Sequence, residues 1–226
     1  MPPRTTSCTQ RRSGRTLVTP TFRPERIAGV SIVVRAPRLS DVDRLAVVNV
    51  ETWRHAYAAI IVKQHLDAME LDEYRDRWRS NITDGSNGRT LLVAEVQADI
   101  AAYAIGGPYR PQDETDKTPE TAALAEVYAL YAHPAMQGRG VGRAVHDELL
   151  VHLMRQGYAD AALWVLRDNE LGRAWYERQG WRVDGATSDW VSHDVAHPEV
   201  RMRRHTSGQS QRVVFRQDDG DRDVLV

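Results

Sequence analysis

Cysteine is almost absent. The single one among 226 residues, Cys8, excludes an internal disulfide and a metal site made of cysteines alone. An excess of one charge is absent as well. Thirty Lys and Arg stand against 31 Asp and Glu, a net charge of -1, which leaves no electrostatic footprint for a nucleic acid. No apolar run reaches the length of a membrane helix, and the polar residues after Arg11-Arg12 do not form the apolar part of a signal sequence. A cytoplasmic protein with no membrane and no nucleic-acid partner is therefore expected. Phenylalanine is scarce, two against six Trp, and no segment repeats another. Histidines do not form a metal set: His193 and His197 have helical spacing, but Pro198 argues against a helix there, so no metal is expected.

What remains is a globular composition, 42% hydrophobic and 27% charged, long enough for one domain with a sizeable core and two tails. Residues 1–27, rich in Thr, Ser, Pro and Arg with no acid before Glu25, read as a mobile basic tail. Residues 206–226 read as a polar tail that ends acidic. Between them, residues 30–205 show strand patterns at 30–35, 90–96, 100–106, 122–132 and 159–166, with two short ones at 190–193 and 200–204. Helical patterns run from Ser40 or Asp41 towards Trp53, over 62–80, from Val141 to Met154, and over 170–179, with Gly180 as a natural stop. Residues 81–88 and the acidic stretch from Asp113 to Asp116 read as loops, the latter able to attract a cation or simply to be solvated. Strands alternating with helices in the C-terminal half, after paired strands in the N-terminal half, predict an α/β or α+β domain.

The chain is organised around the segment from Glu126 to Gly180. A strand-like run, broken at His133-Pro134, leads into Gln137-Gly138-Arg139-Gly140-Val141-Gly142-Arg143 and then a helix with Val141, Val145, Leu149 and Leu153 on one face. A glycine-rich turn feeding a helix N-terminus suits a phosphate or pyrophosphate, with Arg139 and Arg143 adding charge. A Walker-type loop is excluded, since no Lys follows the glycines. The dinucleotide fingerprint also fails, because the third glycine falls at Gly142, although Asp160 lies at a suitable distance for a ribose. A turn with no ligand is the plain alternative.

Read as Gln-x-x-Gly-x-Gly, and joined to Asn169 and Tyr176-Glu177-Arg178-Gln179-Gly180-Trp181, the segment resembles the GNAT superfamily of acyl-CoA N-acyltransferases. Gly172 stands where Ala is common in that pattern. The resemblance covers roughly residues 30–205. It implies a mixed, mostly antiparallel sheet flanked by helices, whose fourth and fifth strands splay around the pantetheine of acetyl-CoA. It also implies backbone contacts to the pantetheine from Leu130, Tyr131 and Ala132, a pyrophosphate held by residues 137–143, and a pantetheine contact or helix cap from Asn169. Homodimers are frequent in that family.

Acyl transfer to an amine needs a neutral nucleophile, although an alkyl amine has a pKa of about 10.4. It also needs a proton for the departing thiolate. Glu126, an acid in an apolar strand, is the general-base candidate, since burial raises a carboxyl pKa. Its alternatives are a solvated strand edge or a pair with an Arg. Tyr176 is the general-acid candidate by resemblance, and packing is its alternative. Trp53 and Tyr57 fall where the family walls its acceptor site, with Trp78 beside them; core packing is the commoner fate of such residues. His146 and His152 read as solvated helix positions. The expected function is an acetyl-CoA-dependent N-acetyltransferase acting directly on the primary amine of a small molecule. Acetylation of a protein N-terminus or lysine is the rival within the fold, and a non-catalytic acyl-CoA-binding module is the rival of another class.

Overall fold

The computed structural model describes residues 25–27, 30–84 and 88–206. The tail up to residue 24, including Cys8, and the tail from residue 207 lie outside the described residues. The first strand, β1 (Glu25–Ile27), falls within the stretch read as tail and pairs with β2 (Val30–Arg35). Asp41 ends a short 3₁₀ turn, but its carboxylate does not cap the helix that follows. It reaches back to the Arg38 amide at 2.7 Å and pairs with the Arg35 guanidinium.

Helix α1 (Val42–Ala56) buries Val42, Leu45, Ala46 and Val48. The helical pattern over residues 62–80 resolves into α2 (Lys63–Asp67) and α3 (Leu71–Thr83), so part of the expected loop at 81–88 is helix. Strands β3 (Thr90–Val96) and β4 (Asp99–Pro108) form a hairpin whose turn places Gln97 and Ala98 at φ 52° and 66°. Two successive left-handed residues match the right-handed twist of the flanking strands. Then come α4 (Pro119–Ala122), β5 (Leu124–Ala132), α5 (Val141–Arg155), β6 (Asp160–Leu166) and α6 (Glu170–Arg178).

Two short terminal strands are expected from sequence; the chain instead forms one long hairpin, β7 (Arg182–Ser192) and β8 (Val195–His205). Asp184-Gly185 is a bulge rather than a break: Gly185 has φ 95° where the register shifts between Val183 and Thr187. Pro198 is tolerated because its carbonyl accepts from the Arg167 amide, 2.7 Å away and just past the end of β6. Its missing N–H faces the same way and breaks no β7 pairing.

The eight strands make one sheet in the order β1-β2-β3-β4-β5-β6-β8-β7, antiparallel except for β5 against β6. Helix α5 covers one face, where Val141, Val145, Leu149 and Leu153 meet Ala94, Ala102, Leu130 and Met202. Helices α1 and α3 cover the other, where Trp78 packs edge-on to Tyr103 with ring centroids 4.6 Å apart. Trp78 is therefore core. No helix among the described residues is long and apolar enough to cross a membrane.

His146 corrects the expectation of a solvated position. It is fully buried, because the chain after α6 lays Trp181 against α5. Its Nε2 accepts from the Trp181 indole N–H at 3.0 Å, which leaves the ring proton on Nδ1, 2.7 Å from Asp147 Oδ1. Burial pushes the imidazole pKa down, against the opposing pull of Asp147. A depressed folded-state pKa means that the neutral ring is favoured. Its contribution is complete above the ordinary His value, about 6.5, and fades as pH falls below it. Replacing His146 by Asn should flatten the pH dependence of stability between pH 7 and 5, read as the difference between wild-type and variant denaturation curves.

Close approach fixes Gly106. A Cβ there would stand 2.9 Å from the Glu126 carbonyl and 3.2 and 3.3 Å from the Leu149 methyls. Gly106→Ala should lower stability by about 1–3 kcal/mol. Gly142→Ala, whose Cβ would meet only the Ala132 methyl at 3.8 Å, should leave it level or slightly higher. Urea denaturation checks both, and equal midpoints would refute the steric account.

Candidate functional site

The site begins where β5 and β6 part. They pair through only three residues, Leu124 with Asp160, Ala125 with Ala161 and Glu126 with Ala162. Beyond that point β5 stays with β4 and β6 stays with β8 along its whole length. The register of β4 against β5 slips between Ile105 and Gly106, leaving Tyr128 as an extra residue on β5, and such a bulge bends its strand. In this numbering the splayed pair is β5 and β6, because β1 precedes the five strands counted from sequence.

A cavity of about 460 Å³ fills the gap. Val127, Ala129 and Tyr131 line it from β5, and Trp164, Val165 and Leu166 from β6. Trp53 and Tyr57 enter from α1 and Trp190 from β7, with Trp53 edge-on to Tyr57 at 5.0 Å and to Trp190 at 5.7 Å. Tyr176 belongs to α6, which packs with the α5 side of the sheet, yet it lines the same cavity. The parting of the strands thus opens the sheet from one face to the other.

Glu126 faces this cavity and is 1% exposed. Both of its oxygens are engaged by Arg110: the backbone N–H at 2.8 Å and Nε at 3.2 Å reach Oε2, and Nη2 reaches Oε1 at 2.6 Å. Of the alternatives open from sequence, the Arg pair is the one present. The Arg110 guanidinium also lies 4.0 Å over the Tyr128 ring.

A second carboxylate, Glu199, lines the cavity and escapes sequence reading, because Pro198 beside it marks a turn rather than the middle of an 11-residue strand. The signal for it was an acid followed by Val200 and Met202 in alternation. The Glu199 carboxylate makes no hydrogen bond or ion pair with a described residue. Burial, then the nearby Glu126 charge, pushes its pKa up to about 7, with Arg110 opposing. Burial likewise raises the Tyr176 phenol well above its usual value and Tyr131 to about 12, so both are protonated at neutral pH.

The acidic loop after β4 is exposed at Asp113 and Glu114 but tied down at Asp116. Asp116 accepts from the Tyr109 hydroxyl at 2.7 Å and from Arg201 Nη1 at 3.0 Å, and Arg201 Nε also bonds Asp184 at 2.8 Å. Asp113 turns inward to the Thr115 and Asp116 amides. The loop thereby brings Arg110, Pro111 and Gln112 over the cavity.

At the far end of β5 stands the glycine turn. Gly138 and Gly140 have φ 72° and 73°, a conformation that favours glycine, and Gly140 is the residue before α5. The amides of Val141, Gly142 and Arg143 form the first helical turn, where no intrahelical acceptor exists. The Asn169 side-chain oxygen caps α6 by accepting from the Gly172 amide at 2.9 Å, while its buried Nδ2 has no partner; buried Gln137 Nε2 has none either. Two orphaned donors, left-handed glycines and the first turn of a helix fit a long ligand with amides and a pyrophosphate. Leu130, Tyr131 and Ala132 lie along the β5 edge between this turn and the cavity, although the Ala132 carbonyl already accepts from Thr52 Oγ1 at 3.2 Å.

A family model described as the acetyltransferase (GNAT) family matches residues 50–181. An uncharacterized N-acetyltransferase, YuaI of Bacillus subtilis, is 27% identical over 138 residues, which are 61% of this chain and 73% of that one. A spermidine N(1)-acetyltransferase of Thermoplasma acidophilum is 21% identical over 164 residues, 72% of this chain and 96% of that one. Among solved structures, a PaiA N-acetyltransferase from Thermoplasma acidophilum in complex with coenzyme A superposes with a TM-score of 0.61. It is 18% identical and covers 77% of this chain and 99% of its own. That structural likeness shows the fold.

Proposed function

The chain belongs to the GNAT family of acetyltransferases, and on that premise we propose that it moves an acetyl group from acetyl-CoA directly onto the primary amine of a small molecule. The observation that carries this reading is the opening between β5 and β6, with a phosphate-type glycine turn at one end and a carboxylate-bearing cavity at the other. Acetyl-CoA would supply the acetyl group as a thioester. Residues 137–143 would hold its pyrophosphate, and Leu130 to Ala132 with Asn169 its pantetheine.

The rest of the chemistry belongs to this chain's own side chains. Glu126 and Glu199 give the cavity two acids against the one Arg110, a balance that draws in an ammonium group. The aromatic wall of Trp53, Tyr57 and Trp190 adds ring faces for the same cation or its alkyl body. Tyr176 Oη, kept protonated by burial, is the donor for the departing sulfur. The same low-dielectric surroundings disfavour a bare thiolate, which narrows the gap between the two acids. The loop carrying Arg110 to Gln112 lines the cavity, and Ser188 Oγ on β7 meets Gln112 Oε1 at 3.3 Å. A cavity of about 460 Å³ suits a small acceptor.

Calorimetric titration with acetyl-CoA, with NADH and ATP as controls, tests the reading. Selective binding near micromolar, about -8 kcal/mol, is expected. In Gly140→Asp, a carboxylate set against the pyrophosphate should remove that binding, while Asp still tolerates a left-handed backbone. Wild-type affinity in this variant would refute the assignment of the glycine turn.

Tyr176→Phe should keep acetyl-CoA affinity and lose about 10²–10⁴-fold in turnover. Thiol release from acetyl-CoA with spermidine or phenethylamine measures it. Full activity would reduce Tyr176 to a packing residue.

A further inference from the structure

Two carboxylates reach the cavity, and they are not equivalent. Glu126 spends both oxygens on three donors of Arg110. Glu199 stands opposite Leu166 at the end of β6, and its carboxylate makes no hydrogen bond or ion pair with a described residue. A base must present a lone pair to the proton it removes, and a carboxylate saturated by a guanidinium has the poorer access.

We propose that Glu199, not Glu126, is the catalytic base that takes the proton from the acceptor's ammonium, and that the Glu126–Arg110 pair sets the electrostatic field around it. The assignment rests on the acetyltransferase reading above. Side chains on β6 and β8 share one face in register, so Trp164, Leu166, Glu199 and Arg201 lie on the same side of the sheet. Glu126 reaches the cavity from β5, across the opening. The charged and titratable groups around Glu199 are Glu126 on β5, Arg110 above the cavity, Asp189 on β7 and Tyr176 on α6. Tyr57, Tyr128 and Tyr131 also line the cavity and stay neutral.

Two acids and one arginine give Glu199 an environment in which either protonation state is accessible near neutrality. An anion can then receive a proton and later release it to solvent. The transfer balances as follows. One proton passes from R–NH₃⁺ to the Glu199 carboxylate. The freed nitrogen lone pair forms the N–C bond as the thioester C–S bond breaks. The sulfur takes a proton from Tyr176 Oη, which regains one from the acylated nitrogen. Amide and thiol leave, and Glu199 returns its proton to water.

The experiment compares wild type with Glu199→Gln, Glu199→Asp and Glu126→Gln. Acetyl-CoA binding is read by calorimetry, and kcat/KM by thiol release with spermidine and with phenethylamine between pH 5.5 and 9.5. Wild type should show a rate that rises with pH through about 7. Glu199→Gln should bind acetyl-CoA with wild-type affinity, lose 10²–10⁴-fold in kcat and lose the limb near pH 7. Glu199→Asp should recover part of the rate and keep a limb. Glu126→Gln should keep a limb but move it to lower pH, because a like charge beside Glu199 is gone and Arg110 is freed. Carboxyl ¹³C titration of the glutamates provides the substrate-free reading: one signal with a midpoint near 7 that is missing in Glu199→Gln. A Glu199→Gln enzyme that keeps a third of its turnover and the same limb overturns the proposal, as does loss of the limb in Glu126→Gln alone. Wild type that fails to bind acetyl-CoA would instead overturn the functional reading on which the assignment rests.

Discussion

Two neighbouring strands that cease to pair in the middle of a sheet create a demand that the rest of this molecule answers. Backbone amides and carbonyls on the facing edges of β5 and β6 lose their ladder after Glu126 and Ala162, and buried groups of that kind must find partners elsewhere. The strands can part because each is secured on its other side, β5 by β4 and β6 by all seven of its residues against β8. The stretch of β8 from Glu199 to His205 therefore supports β6 beside the opening. The extra residue at Tyr128 sets the bend, and Gly106 makes room for it beside the Glu126 carbonyl and Leu149.

Two arginines divide the electrostatics of the opening between them. Arg201 is satisfied by Asp116, Asp184 and the Tyr109 hydroxyl, and holds the loop after β4 to the hairpin. That loop delivers Arg110, which is committed to Glu126. A fixed covering loop thus yields one neutralised carboxylate, and the second, Glu199, stays unpaired with its pKa raised to about 7. Were Arg201 free to release the loop, Glu126 would face the cavity uncompensated, and two like charges would compete for one proton. Structural and chemical roles are coupled through a single loop.

The sequence disclosed the parts whose signal is local. Strand, glycine turn and helix follow one another between residues 124 and 155 as their patterns indicate, and the left-handed angles at Gly138 and Gly140 fall at glycines of the quoted motif. Tertiary contacts were hidden. His146 reads as a solvated helix position until Trp181, 35 residues on, lies against it. Arg110 is an ordinary loop residue until the chain returns as β5 with Glu126. Glu199 was concealed by its neighbour, since a proline argues against a strand wherever its missing donor matters, and at Pro198 it does not. The aromatic residues divided in a way no periodicity could foresee: Trp78 met Tyr103 in the core, and Trp53 met the cavity.

The lining of the cavity also bears on the order of chemical events. Among its described residues there is no Cys, Ser, Thr, Lys or His, the side chains that ordinarily carry an acyl group between two substrates. In the direct transfer proposed above, acetyl donor and amine are present together. That condition needs two approaches to one point. An opening that runs from the α6 side, where Tyr176 sits, to the α1 side, where Trp53 and Tyr57 sit, provides them. In that proposal the parting of β5 from β6 gives both substrates a way in, and Glu199 on β8 lines the cavity that it opens.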